Sequence, residues 1–319
     1  VSAPKIVWTE RLDAAAASWL GQRSRLVYCD GRNTALLARE LADAQGLLVR
    51  TYTRVDARLL ELAPGLRVVG RAGAGLDNID LDACRRRGVR VVYTPDANTQ
   101  AVVEYVWASI FDALRPRPTL SEPVAPDEFD RLRAAAAGRQ ADALVLGILG
   151  MGRIGRRVAE VARAFGMRTI CHDLLTPGEL GLAPDAPARF VERRRLWSES
   201  DLLTIHIDGR EQNRGLFGAL VLAELKPSCV LINTSRGSVV DGRALAAWAR
   251  RVAPAGGGAI LDVHEPEPPP DDYPLFGLPN VRLLPHIAAR TDEALRAMSE
   301  VVRDVARVLA GEEPWFPAA

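Results

Sequence analysis

Residues 144–173 read LVLGILGMGRIGRRVAEVARAFGMRTICHD, and the order of residue types in this stretch decides the fold. A short apolar run, Leu144 to Leu149, has the length and composition of a buried parallel strand. It breaks at Gly150, Gly152 and Gly155, spaced GxGxxG. Ile154, Val158, Val161, Ala162 and Phe165 then fall on one face of a helix, which Gly166 stops. A second apolar run ends at Asp173. Gly150 permits the tight turn, Gly152 lets a pyrophosphate approach the backbone, and Gly155 lets helix and strand pack closely. The helix start at Gly152, Arg153 and Ile154 offers N–H groups and a positive dipole end to phosphates. Asp173 lies 18 residues past Gly155, near the roughly 20 expected of an acid on the ribose hydroxyls. Such an acid repels a 2′-phosphate, so NAD is expected rather than NADP. A lone GxGxxG is often an ordinary strand-to-helix turn. Strand, glycines, helix, strand and acid in this order point to a dinucleotide.

On the N-terminal side, short apolar or β-branched runs at 5–8, 25–29, 47–50, 67–71 and 89–92 alternate with helical patterns near 11–20, 34–44, 56–62 and 80–87. That alternation predicts a second, smaller parallel α/β domain. Asn33 is placed to cap a helix. A long helix is expected to start after Asn98 and run to about Leu114. A Pro-rich loop follows, then a helix over Glu128–Ala137 capped by Asp127. On the C-terminal side the pattern is irregular to Pro187. Strands are expected at Leu202–Ile207, Cys229–Asn233, Ala259–Val263 and Val281–Leu284, and helices at Gly218–Leu225 and Asp241–Arg251. A single final helix is expected from Thr291 to Leu309.

The chain has 319 residues, room for two domains, with 48% hydrophobic and 25% charged residues, a globular profile. A net charge of +1 gives no field for nucleic acid or anionic membrane. The triple arginines at 85–87 and 193–195 read as solvated helix or loop faces. No apolar run spans a bilayer, and no signal peptide is visible. The four cysteines, Cys29, Cys84, Cys171 and Cys229, are widely spaced and form no metal-ligand pattern. They read as buried thiols in a reducing, cytoplasmic setting, and no metal site is expected.

Three segments fall at the ends of predicted strands, where open α/β sheets hold ligands. They are NTSRG (233–237), LDVHEPEP (261–268) and PHIA (285–288), and they supply Arg236, Asp262, Glu265, Glu267 and His286. A histidine with a carboxylate partner moves a hydroxyl proton, and an arginine binds a carboxylate in a fork. With a nicotinamide, that is a full set for hydride transfer to a keto acid. Each residue also has a plainer reading: a structural histidine, a paired arginine, solvated glutamates.

Taken together, RAGAGLDNID (71–80), NTQAVVEYV (98–106), GILGMGRIG (147–155), SDLLTIH (200–206), LINTSRGSVVD (231–241), LDVHEPEP (261–268) and LLPHIA (283–288) resemble the D-isomer-specific 2-hydroxyacid dehydrogenases, the family that includes D-3-phosphoglycerate dehydrogenase. The resemblance implies two Rossmann-like doubly wound domains. An NAD-binding domain, 98–287, is inserted into a flavodoxin-like substrate-binding domain, 1–97 plus 288–319, and the active site lies in the cleft between them. It implies Arg236 as the substrate arginine, His286 as the acid/base and Glu267 as its partner, with Glu265 a solvent-facing decoy. Asp262 matches an acid near the nicotinamide carboxamide, and His206 and Thr234 fall among the cofactor positions. Ala72, Gly73, Ala74 and Gly75 match a loop whose amides hold the substrate carboxylate, with Asn98 nearby. Arg50, with Arg54, aligns near the distal end of the substrate, where it would face a phosphate, phosphonate or second carboxylate. Its plainer reading is a solvated strand-end arginine. The family is commonly dimeric, and the helix after Asn98 is a usual dimer element.

The chain departs from the family after His206, where IDGREQNRGLF replaces the usual LHxPLT continuation. His264 stands where Phe is common, and 115–140 is atypical. The expected activity is NAD-dependent hydride transfer between a D-2-hydroxy acid and its 2-keto acid. Two other readings keep the same residues: an NAD-sensing corepressor-like protein, and a formate or phosphite dehydrogenase. A keto-acid screen with NADH separates the first from an enzyme. The small substrates of the second leave Arg50 without a partner.

Overall fold

The computed structural model describes residues 3–318. In chain order, β1 (Lys5–Trp8), α1 (Ala14–Gly21), β2 (Arg25–Tyr28), α2 (Thr34–Leu41), β3 (Gly46–Val49), α3 (Ala57–Glu61), β4 (Val68–Arg71), α4 (Leu81–Arg86) and β5 (Arg90–Tyr93) alternate. There follow α5 (Thr99–Leu114), α6 (Pro126–Ala135), β6 (Val145–Leu149), α7 (Arg153–Ala164), β7 (Arg168–His172), β8 (Arg189–Phe190), α8 (Arg193–Glu199) and β9 (Leu202–Ile205). The chain closes with α9 (Ala219–Glu224), β10 (Val230–Asn233), α10 (Gly242–Val252), β11 (Gly258–Leu261), β12 (Val281–Leu283), α11 (Asp292–Ser299) and α12 (Val301–Ala310). It divides into two compact units, Val1–Thr99 with Ala289–Ala319, and Gln100–Ala288.

The first unit is a five-stranded sheet in the order β2-β1-β3-β4-β5, parallel throughout. This is the flavodoxin-like order, which reverses between β1 and β3. Val7, Leu41, Leu47, Val49 and Val69 form one core. On the sheet's other face the buried Val301, Val302 and Val305 of α12 pack, so the chain's last helix completes a sheet begun at Lys5.

The second unit is a seven-stranded sheet, β12-β11-β10-β9-β6-β7-β8, again parallel. Its order reverses between β6 and β9, the point at which doubly wound sheets bind ligands beyond their strand ends. Its main strands are apolar on both faces because helices cover both; β6 and β9 are buried along their whole length.

Two local expectations are corrected, and two elements are added. The final helix is two: Glu300 breaks it, its N–H reaching back to Ala297 O at 3.3 Å. Ser299 supplies the cause, donating its hydroxyl to Leu295 O (2.7 Å) while accepting from Asp13 N (2.9 Å), back-bonding that bends helices. Helix α6 starts one residue before Asp127, with Pro126 in its first turn and no side-chain cap. Between Pro187 and β9 the structure adds β8 and α8, neither of which the sequence pattern predicts. The arginine run at 193–195 opens α8, whose Leu196 and Trp197 are buried.

Candidate active site

The glycine turn sits at the reversal point of the second sheet. Gly150 has φ 95°, and a Cβ there would stand 2.6 Å from the His206 carbonyl oxygen. At Gly155 a Cβ would stand 2.0 Å from Gly150 O, so helix α7 can pack on β6 only through glycine. Gly152 differs: a Cβ there meets no atom within 4 Å. It is the N-cap of α7 and carries no side-chain cap, which leaves the first amides of the helix, with exposed Arg153 and half-buried Ile154, for an outside acceptor. Asp173 ties this turn to the end of β7, its carboxylate accepting from Met151 N (2.7 Å) and Leu175 N (3.0 Å). Arg168 and His172 are engaged elsewhere, with Glu199 (3.3 Å) and Val191 O (3.0 Å). His206 Nε2 and Thr204 Oγ1 share a hydrogen bond of 3.0 Å. Burial pushes the His206 imidazole down to about 3, so the ring beside the turn is neutral. Thr234 Oγ1 is buried with no partner among the described residues. An open glycine cradle, an uncapped helix start and an orphaned hydroxyl fit a bound dinucleotide.

Arg236, Glu267 and His286 stand beyond the C-terminal ends of β10, β11 and β12, three adjacent parallel strands. The strand ends are tied to one another. Gly237 lies so close to the His264 backbone that a Cβ would be 2.0 Å from His264 O. The His264 ring donates from Nε2 to Leu284 O (2.7 Å) and meets Tyr273 edge-on at 5.7 Å. Asp262, almost fully buried, accepts from Ile287 N (2.9 Å) and Ala288 N (2.8 Å) and from the Tyr105 hydroxyl. Burial raises its pKa against those bonds. Asp262 therefore anchors the turn that carries His286.

His286 Nδ1 pairs with Glu267 Oε2 at 2.8 Å, both side chains partly open to solvent. Burial opposes the charge on Glu267, but the bond and charge of His286 hold its pKa below the usual value. Glu265 is half exposed and faces Arg214 at 3.5 Å. Arg236 donates from Nη1 to Ser235 O (2.8 Å), and its charge reaches Asp208. Asp208 closes its own loop, accepting from the Arg210 guanidinium (Nε at 2.7 Å) and Asn213 Nδ2 (3.1 Å).

In the first unit, two of the four expected loop amides are engaged: Ala72 N with Val49 O (2.9 Å) and Gly73 N with Thr94 Oγ1 (2.9 Å). The N–H groups of Ala74 and Gly75 have no partner among the described residues. Arg50 is half-buried at the end of β3, and its guanidinium makes no hydrogen bond or ion pair among the described residues. Arg54 is exposed beside Asp56 at 3.9 Å, and Asn98 is half-buried. Sequence reasoning missed Tyr105, the tie made by His264, and Glu10, whose carboxylate receives the amides of residues 50–53. The only signal for His264 was its place in a family Phe position. Glu10 carried none.

Residues 107–288 match the model of the D-isomer specific 2-hydroxyacid dehydrogenase NAD binding domain. The chain is 39% identical over 314 residues to the (S)-sulfolactate dehydrogenase of Chromohalobacter salexigens, covering 96% of this chain and 98% of that one. It is 34% identical over 317 residues to the D-3-phosphoglycerate dehydrogenase of Mycobacterium tuberculosis, covering 98% of this chain but 58% of the longer relative. Among solved structures, the TT0316 protein of Thermus thermophilus superposes with a TM-score of 0.86 at 31% identity, covering 99% of this chain and 100% of that one. D-lactate dehydrogenase from Aquifex aeolicus, complexed with NAD and lactic acid, gives 0.80 at 26% identity, covering 97% and 96%. The chain belongs to the D-isomer-specific 2-hydroxyacid dehydrogenases, oxidoreductases that pass a hydride between NAD and a hydroxy acid.

Proposed function

We propose that this enzyme interconverts a D-2-hydroxy acid carrying a second, distal anion and the matching 2-keto acid. The observation that carries the reading is the His286–Glu267 pair at 2.8 Å, a proton donor held in place at a strand end. When bound, NADH would supply the hydride to the keto carbon. In that direction His286, fixed through Nδ1, gives its Nε2 proton to the forming alkoxide oxygen. Glu267 stabilises the charged ring until the proton leaves. Arg236 holds the substrate carboxylate as a fork and polarises the carbonyl. The open amides of Ala74 and Gly75, in the first unit, form a small nest suited to a carboxylate. Gly150, Gly152, Gly155, Arg153 and Ile154 cradle the pyrophosphate, Asp173 takes the ribose hydroxyls, and His206, Thr234 and Asp262 line the cofactor's path. The roles divide by unit: residues 100–288 carry the cofactor residues with Arg236, Glu267 and His286, and residues 1–99 with 289–319 carry the Ala74–Gly75 nest and Arg50.

Arg50 supports the distal anion. Its half-buried guanidinium has no carboxylate paired with it among the described residues, and Arg11 and Arg290 add positive charge around it. The near full-length likeness to a sulfolactate dehydrogenase supports a sulfonate in that place. In sulfolactate the sulfomethyl group outranks the carboxyl in naming, so the S label denotes the D arrangement. Four buried free cysteines support a reducing, cytoplasmic setting. The Trp107–Phe111–Phe165 cluster, with Phe165 46% exposed, supports pairing of two copies along α5. The test is a screen of 2-keto acids with NADH. Sulfopyruvate should be reduced with kcat/KM at least about tenfold above pyruvate. Equal turnover of both overturns the distal-anion reading, and no turnover of any keto acid overturns the enzyme reading.

A further inference from the structure

The first unit has its own reversal point, between β1 and β3, and the residues just beyond those strands are Glu10 and the loop 50–53. Doubly wound sheets bind ligands at that position. The Glu10 carboxylate fills it from within. Oε1 accepts from the backbone N–H groups of Arg50 (3.0 Å), Tyr52 (3.0 Å) and Thr53 (3.2 Å), and Oε2 from Thr51 (2.8 Å). Four successive amides aimed at one carboxylate make an anion nest with an internal anion in it. The carbonyl side of the loop is clamped as well. Asn78 Nδ2 donates to Arg50 O (3.2 Å) and Thr53 O (2.7 Å), and the Thr9 and Thr53 hydroxyls share a bond of 2.6 Å.

Two consequences follow. The loop's amides are engaged and cannot themselves bind substrate, so any anion held here must be held by side chains. The same carboxylate also places a negative charge within reach of Arg50. Burial lowers the pKa of that guanidinium and Glu10 opposes the shift, while Arg290 and Arg11 add to it. We infer that Glu10 is a positioning residue: it holds the loop 50–53 in the one conformation that presents the Arg50 side chain to the distal anion of the substrate. The inference rests on the distal-anion reading above. A carboxylate acting only as a loop staple would affect every substrate alike.

The test compares Glu10→Ala, Glu10→Gln and Arg50→Met with wild type. Reduction of sulfopyruvate and of pyruvate by NADH is measured, together with amide hydrogen exchange at Thr51–Thr53. Glu10→Ala should lower the sulfopyruvate-to-pyruvate ratio of kcat/KM at least about fivefold, through KM rather than kcat. Exchange at Thr51–Thr53 should rise at least about tenfold. Glu10→Gln keeps an oxygen for the three amides on Oε1 and should fall between. An unchanged ratio in Glu10→Ala, while Arg50→Met lowers it, overturns the inference. So does unchanged exchange. An unchanged ratio in Arg50→Met overturns the distal-anion reading itself and takes the inference with it. If Glu10→Ala does not fold, Glu10→Gln carries both measurements.

Discussion

His286 reaches Glu267 from a left-handed backbone, φ 55°, the one non-glycine residue with positive φ among those described. A side chain in that region costs free energy unless its surroundings hold it there. The two amides after it, Ile287 and Ala288, are held by Asp262. The ring's direction is therefore set by the buried carboxylate of Asp262 as much as by its visible partner. His286→Ala should cut turnover at least about a hundredfold with the NADH dissociation constant near its wild-type value. Equal loss of NADH binding in a fluorescence titration would assign the ring a structural role.

Glu267 makes a pH prediction. Its folded pKa lies below the ordinary value, so its contribution to stability is fully present above the unfolded value, about 4.3. That contribution is lost as pH falls through the lower folded value. Urea unfolding of wild type and Glu267→Gln from pH 3 to 7 should show a gap at pH 7 that closes below about pH 4.

His206 acts over a higher window. Its folded pKa of about 3 lies below that of the free ring, about 6.5, so the unfolded chain takes up a proton that the folded one refuses. Stability should fall as pH drops from about 6.5 toward 3. The His206 ring resonances should not titrate between about pH 5 and 8. A midpoint near neutrality would mean that water reaches the ring.

The fingerprint glycines should separate by phenotype. At Gly152 a Cβ meets nothing within 4 Å, so Gly152→Ala should melt like wild type yet lose at least about tenfold in NADH affinity. At Gly155 a Cβ would lie 2.0 Å from Gly150 O. Gly155→Ala should therefore lower Tm by several degrees, about 1–3 kcal/mol of overpacking. Matching melts for the two variants would contradict this.

Asp173 should decide between cofactors. Asp173→Ser removes the charge that repels a 2′-phosphate and should narrow the NADH-over-NADPH preference at least about tenfold. An initial wild-type preference for NADPH would overturn the role given to the acid.

Much of the fold could be read because its signals are local. Gly150 to Asp173 carry turn, helix, strand and acid within one stretch, and Arg236, Glu267 and His286 each follow a strand-like run. What escaped was contact between distant residues or a bond that overrides a pattern. The apolar face from Ala294 to Leu309 is continuous in sequence, and only the Ser299 hydroxyl, through Leu295 and Asp13, breaks it. Helix α8 hid behind three arginines that carry no periodicity. His264 gave no hint that its partner is Leu284 O, 20 residues on. Glu10 is a lone acid after a short strand, and the amides it receives lie 40 to 43 residues away.

Because α12 covers a sheet whose strands end at Tyr93, the first unit is made from two pieces of chain separated by the whole of the second. During synthesis, β1 to β5 leave the ribosome with one apolar face bare. They stay so while residues 100–288 are made, roughly ten to forty seconds. The second unit is continuous and can close first. Until Val301, Val302 and Val305 arrive, the N-terminal sheet is the part most exposed to chaperones and to aggregation.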